Sequence, residues 1–368
     1  MGNPTTSSRP TRRRTLALLT VGLLGLGATA CRLPSRYDLA TVADGLQNPW
    51  DISFAPGGEM FFTERVGDVN VLRNGQVTTF NRPADVSPRG EGGMMGIAVD
   101  PAFATNRRIY TCYITASDVR VVRWDVSADW TRLDNGVPLV TGIPAAASGR
   151  HSGCRTRFGP DGALWVTTGD AAIPTNPQSL QSLGGKVLRI GTEPPANTSV
   201  DPLANIYAYG FRNPQGITFR QSDGRPFLVE HGPGCNDEIT PLTAGGNGGW
   251  NPVGSGSSYN ENVPMTDVNA YPNALPPSWS SGCPTLAPSG GTFVTDDDWG
   301  DRKGQIAMAV LKDQQLRMIN VADGVVDRGG AIVTGQGRLR VAVEGPDGKL
   351  YVAIDADPGR IISVDPVP

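Results

Sequence analysis

Histidine is the scarcest functional side chain in this 368-residue sequence: there are two, His151 and His231. Charge is thin as well, at 18% Asp, Glu, Lys and Arg, and it holds no basic excess, with 32 Lys and Arg against 35 Asp and Glu. Nucleic-acid binding wants a clustered basic face, so that class is excluded. Few segments keep a 3.6-residue apolar period, which argues against a largely helical chain. No Cys-x-x-Cys pair occurs. What is abundant is turn chemistry: 47 Gly and 31 Pro punctuate regular apolar runs. That combination marks an all-β protein with many turns rather than disorder. The length suffices for one large domain or two average ones and for a substantial core.

The first thirty residues read as an export signal. Arg12-Arg13-Arg14 precede an apolar run from Leu16 that ends at Ala28-Thr29-Ala30-Cys31. The run is short for a bilayer span and has the charged, apolar, small-residue order of a signal. Small residues ahead of Cys31 resemble a lipobox, with Ala28 where leucine is usual, and the arginines suggest twin-arginine export. Residues 1–30 are thus expected to be removed and Cys31 lipidated, anchoring the chain to the outer face of the plasma membrane. Removal deletes four arginines, leaving 28 basic against 35 acidic residues, a balance of −7. Residues 31–44 read as a lead-in tether and 45–368 as the folded domain.

Four cysteines remain: Cys112, Cys154, Cys235 and Cys283. An even count in an exported protein favours two disulfides. Three pairings exist; proximity in sequence favours Cys112–Cys154 with Cys235–Cys283. A zinc site from His151, Cys154, His231 and Cys235 is the alternative that the spacing permits.

A loose repeat runs through the domain. Pro56-Gly57-Gly58 leads into the apolar run 60–63, and Pro160-Asp161-Gly162 and Pro346-Asp347-Gly348 do the same before 164–166 and 350–352. Weaker versions fall at 97–110, 216–229 and 306–321. Six units of roughly fifty residues suit four-stranded blades, and the expected fold is a six-bladed β-propeller. A pair of β-sandwiches predicts no such period. The Gly/Pro/Ser/Asn-rich stretch 244–290 reads as a long ordered excursion over one ring face, because its tryptophans and Cys283 would tie it down.

Polar clusters then stand out. His151 lies in the small-residue loop Ser148-Gly149-Arg150-His151-Ser152-Gly153, with Asp170 a little further on. Gly210-Phe211-Arg212-Asn213-Pro214 is a charged turn between apolar segments, and Arg338-Leu339-Arg340 puts two guanidinium groups on one side of a strand. Gly90-Glu91-Gly92 is a turn with one carboxylate, and Lys312 follows an apolar run. Together they suggest a mouth lined with cations that suits an anionic ligand bearing several carboxylates.

On these pieces, with Glu230–Glu238, Gly245–Trp250 and Ala287–Gly290, the chain resembles the soluble aldose and glucose dehydrogenases that use pyrroloquinoline quinone (PQQ), the glucose/sorbosone dehydrogenase family. Within that family it looks closest to actinobacterial lipoproteins. The resemblance implies that a sugar is oxidised at C1 to the lactone by hydride transfer to PQQ. It implies His151 as base, Asp170 as its carboxylate partner and Arg212 as the group that polarises the quinone oxygen. Glu91, Asn213, Lys312, Arg338 and Arg340 would contact the cofactor. The carbonyls of Gly232 and Pro233 would ligate Ca²⁺, and Glu238 a second Ca²⁺. Departures are Glu91 where glutamine occurs in relatives, Gly248 for a frequent tyrosine, Phe211 for a common histidine, and Cys154 beside the base. Two other readings compete: a cofactor-free extracellular binding propeller and a calcium-dependent lactonase.

Overall fold

The computed structural model describes residues 1–2, 36–193, 202–322 and 330–367. The proposed signal and Cys31 therefore lie outside the described residues, Met1 and Gly2 apart. The unit from Arg32 onward carries six sheets, each built on four antiparallel strands, the six-bladed β-propeller expected. Their innermost strands are Pro49–Phe54, Met94–Val99, Gly153–Phe158, Pro214–Phe219, Pro288–Phe293 and Leu339–Glu344. Each touches the next, and the last touches the first, so the ring is closed.

Apolar runs, rather than alternation, follow from this geometry. A blade is covered on both faces by its neighbours, so the second strands Met60–Glu64, Leu164–Thr168, Pro226–Glu230 and Ile306–Val310 are buried throughout. The outer strands Gln76–Thr79 and Gly330–Thr334 are mostly exposed. Hydrophobic clusters fill the six gaps between blades. One gap packs Phe61 and Val71 against Ile97 and Val122; another packs Leu316 and Met318 against Leu339 and Val352. Burial of this kind contributes about 25 cal/mol per Å² of apolar surface and requires every blade to have two neighbours.

The repeated turns are the hairpins between first and second strands. Ala55, Gly159 and Gly345 donate to the carbonyls of Glu59, Ala163 and Lys349 at 2.9, 2.9 and 2.8 Å. The third turn residue sits at positive φ in each (Gly58 91°, Gly162 73°, Gly348 76°), where a side chain would be strained. In the fifth blade the turn is replaced by a 3₁₀ segment, Asp297–Arg302, so the repeat at 306–321 marks its second and third strands instead.

Two expectations change. Residues 36–46, of which 36–44 read as lead-in tether, form the outermost strand of the sixth blade and pair with Gly359–Val367 from Arg36↔Val367 to Leu46↔Gly359. The short apolar pattern concealed it because an outer strand needs only one buried face. The excursion 244–290, for its part, is partly sheet. Gly246–Asn247 adds a fifth, parallel strand to the third blade and Trp279–Ser280 the outer strand of the fourth; the inner strand of the fifth begins at Pro288. The disulfides are Cys112–Cys154 and Cys235–Cys283, the pairing favoured by proximity. With both cysteines oxidised the zinc alternative falls.

Candidate active site

Topology gathers the polar clusters. Glu91, His151, Arg212–Asn213 and Arg338 precede innermost strands, while Asp170, His231–Gly232, Lys312 and Asp355 follow second strands, which run back antiparallel. Entry to the first strand and exit from the second lie at one end of a blade, so all of these meet at one ring face. Hydrogen bonds across blades bear this out: Asn48 Nδ2 donates to Asp355 at 3.0 Å, Arg65 to the Gly90 carbonyl at 3.0 Å, and Gly153 N to Asn213 Oδ1 at 3.3 Å.

His151 is buried, 3% exposed, with φ 51°. Its Nδ1 lies 2.8 Å from Asp170 Oδ1. Asp170 is fully buried, and its Oδ2 accepts from Trp250 Nε1 at 2.9 Å and from the Tyr259 hydroxyl at 2.7 Å. A carboxylate facing Nδ1 requires the proton there, which leaves the lone pair on Nε2. Arg150 Nε agrees with that tautomer, since it donates to Nε2 at 3.2 Å. The small residues of the loop permit this fit: a Cβ on Gly169 would stand 1.9 Å from the His151 carbonyl.

Glu91 explains its own departure. One oxygen accepts the backbone N–H of His151 and the other accepts Asn213 Nδ2 at 3.2 Å. Both partners are donors, so a carboxylate satisfies the pair where an amide would present one oxygen and one NH₂. Arg212 donates from Nη1 to the His231 carbonyl at 2.9 Å, and from Nε to Glu261 Oε1 at 3.1 Å. Glu230, buried beneath, accepts the backbone N–H of Asn213 at 3.0 Å. Burial and then the nearby Glu238 push the Glu230 carboxyl well above its usual range. His231 is held below the usual imidazole value by burial and by Arg212, with Asp237 opposing.

The cations differ in state. Lys312 and Arg338 are exposed and form no ion pair among the described residues. Burial and the neighbouring Arg340 lower Arg338. Arg340 is buried and paired with Asp355, yet its Nε has no hydrogen-bond partner among the described residues. That orphaned donor and two unpaired cations at one ring mouth fit a polyanionic cofactor.

The metal donors do not assemble in the same way. The Gly232 carbonyl faces His231 Nδ1 at 2.5 Å, and the Glu238 carboxylate takes the Thr266 hydroxyl at 3.1 and 2.9 Å. Among the described residues no group of three or more His, Cys, Asp or Glu could hold a metal. As placed, the Gly232 carbonyl and the Glu238 carboxylate have partners within the protein, and no step below runs through a metal.

Sequence reasoning missed five participants. Trp250, Tyr259 and Glu261 come from the excursion, and only the ring closure shows where they land. Lys186 lies behind Asp170 and donates to the carbonyls of Asn176, Pro177 and Gly184 at 2.7, 3.1 and 2.6 Å. Burial pushes it down to about 7, against the pull of Asp170. Arg155, fully buried, crosses the ring axis: it pairs with Asp51 at 2.6 Å and donates to the Gln215 carbonyl at 2.9 Å. Burial pushes it down to about 9.

Fold and site together define a propeller whose one mouth carries an oriented imidazole, an adjacent arginine and free cations. Residues 46–363 match the Glucose / Sorbosone dehydrogenase family, and the chain belongs to it. It is 28% identical to the aldose sugar dehydrogenase YliI of Escherichia coli (strain K12), over 94% of this chain and 97% of that protein. It is also 28% identical to the quinoprotein glucose dehydrogenase B of Acinetobacter calcoaceticus, over 58% of this chain and 52% of that one. Among solved structures, the PQQ-bound aldose sugar dehydrogenase of Streptomyces coelicolor superposes with a TM-score of 0.74 at 28% identity, covering 91% and 99% of the two chains.

Proposed function

We propose that the protein is an exported aldose dehydrogenase that uses PQQ and takes a sugar from the C1 alcohol to the lactone. The observation that carries this reading is the His151–Asp170 contact at 2.8 Å. It leaves Nε2 as a base at the same mouth as Arg212, and both lie against one atom, Glu261 Oε1, at 4.0 and 3.1 Å.

PQQ, when bound, supplies the two-electron acceptor for a hydride. This chain's residues supply the rest. His151 Nε2 removes the proton of the anomeric hydroxyl as hydride leaves C1, so the sugar loses two electrons and two hydrogens. Asp170 keeps the proton on Nδ1 and offsets the imidazolium charge, while Trp250 and Tyr259 hold the carboxylate still. Arg212 offers N–H donors where negative charge develops, and the His231 carbonyl holds it in place before the reaction. Lys312, Arg338 and Arg340 would hold the cofactor carboxylates, with Asn213 beside them. Ca²⁺ at the Gly232 and Pro233 carbonyls and at Glu238 is a separate proposal, which would need those donors to rearrange.

Export and lipidation at Cys31 belong to the same proposal. They are supported by the N-terminal pattern and by two disulfides, which persist in oxidising compartments. A cofactor-free binding propeller would give no reason for His151, Asp170, Arg212 and the free cations to share one face. Reconstitution with PQQ, with and without Ca²⁺, a dye acceptor and a panel of aldoses tests the reading. Turnover that His151→Ala abolishes is expected; no turnover together with no PQQ binding would overturn it.

A further inference from the structure

Glu261 stands out as a charged group that nothing above requires at the base. It sits on a loop closed at its foot by Asn251 Nδ2 to Asp267 at 3.0 Å and by Asn260 N to the Pro252 carbonyl at 2.6 Å. Its Oε1 takes Arg212, its Oε2 takes Arg150 Nη2 at 2.5 Å, and Oε1 lies 4.0 Å from His151 Nε2. We infer that Glu261 is the substrate-discriminating residue of this site: it accepts a hydrogen bond from the sugar hydroxyl on the carbon beside the reacting one. This rests on the aldose dehydrogenase reading.

Donor and acceptor counts support a working contact rather than a plug. Arg212 has five N–H donors; Glu261 and the His231 carbonyl take three, and two have no partner among the described residues. A quinone oxygen can therefore reach Arg212 while Glu261 stays. Oε1 receives two N–H groups and Oε2 one, so Oε2 keeps a lone pair, and the side chain is 33% exposed. Burial acts to raise the Glu261 carboxyl, but the Arg212 charge and hydrogen bonds outweigh it and hold it below its usual value. It is an anion at neutral pH.

A reacting hydroxyl within about 2.7 Å of Nε2 replaces Arg150 Nε, whose contact is longer at 3.2 Å. The hydroxyl on the next carbon then meets the Glu261 carboxylate. A sugar that lacks this hydroxyl forgoes the contact with the charged acceptor.

The test uses the PQQ-loaded protein and Glu261→Gln, with glucose and 2-deoxyglucose as substrates and PQQ affinity read separately by calorimetry. Losing a bond to a charged acceptor predicts a fall in kcat/KM for glucose of about 10- to 100-fold. For 2-deoxyglucose the predicted change is within about 3-fold, the usual scale of a lost peripheral contact. PQQ affinity should stay within about 3-fold, since Arg212 keeps its free donors. Equal losses on glucose and 2-deoxyglucose, or no loss on either, overturn the inference. So does tighter PQQ binding with no change in sugar preference, which would make Glu261 a competitor of the cofactor. Wild-type protein that oxidises none of the sugars and binds no PQQ defeats the underlying reading instead.

Discussion

Trp250 Nε1 donates to Asp170 Oδ2 at 2.9 Å, joining the long excursion to the carboxylate that orients the base. Asp170 then has both oxygens committed, one to imidazole and one to indole and phenol. Asp170→Asn disrupts both: an amide can present its NH₂ to Nδ1 and so favour the wrong tautomer. The expected result is a loss in kcat of about 10²- to 10⁴-fold, the range of a general base, with PQQ affinity unchanged. Steady-state kinetics beside a PQQ titration separates the two.

Cys154 lies three residues after His151, and its disulfide to Cys112 staples the inner strand of the third blade to the second blade. Closing a loop with a sequence separation of 42 restricts the unfolded chain. Replacing both cysteines by serine should lower stability by about 4 kcal/mol on the chain-entropy account. Chemical denaturation under non-reducing conditions measures it.

Glu238 makes the metal-free protein sensitive to pH. Burial, aided by Asp237 and opposed by Thr266, pushes its carboxyl up to about 7. A raised folded-state value means that the contribution to stability is full below the ordinary carboxylate range and is lost as pH rises through about 7. Glu238→Gln removes that loss. Its stability relative to wild type should improve between pH 5 and pH 8 by up to about 3 kcal/mol, measured by urea midpoints in chelator. A constant difference across that range contradicts it.

Arg155 should carry the ring's axial closure. Arg155→Met leaves the buried Asp51 with Arg157 alone, 2.8 Å away. Breaking a buried pair costs about 3–5 kcal/mol, so thermal unfolding should shift down well before any local effect at His151 is seen.

Much of this architecture was legible in the chain. The Pro-x-Gly turns at 56–58, 160–162 and 346–348 mark real hairpins because the glycine must take positive φ. The residues around His151, Arg212 and Arg338 read as one site from their charge and the family resemblance, and in the fold each stands just before an inner strand. What escaped has a common cause. The strand at 36–46 is recognisable only by its partner more than 300 residues away, and Trp250, Tyr259 and Glu261 become neighbours of Asp170 and Arg212 only once the ring closes. Lys186 sits in an ordinary strand pattern, and nothing local shows that three carbonyls surround its amine.

The central claim is that the cations of this mouth hold an anionic quinone beside an oriented base. Isothermal titration of the protein with PQQ tests it most directly, in wild type and in Lys312→Ala and Arg338→Ala. The account predicts one site per chain in the wild type, weakened at least about tenfold by either change, as expected when a charge-assisted contact is lost. Absence of binding in the wild type, or binding that neither variant alters, would contradict it.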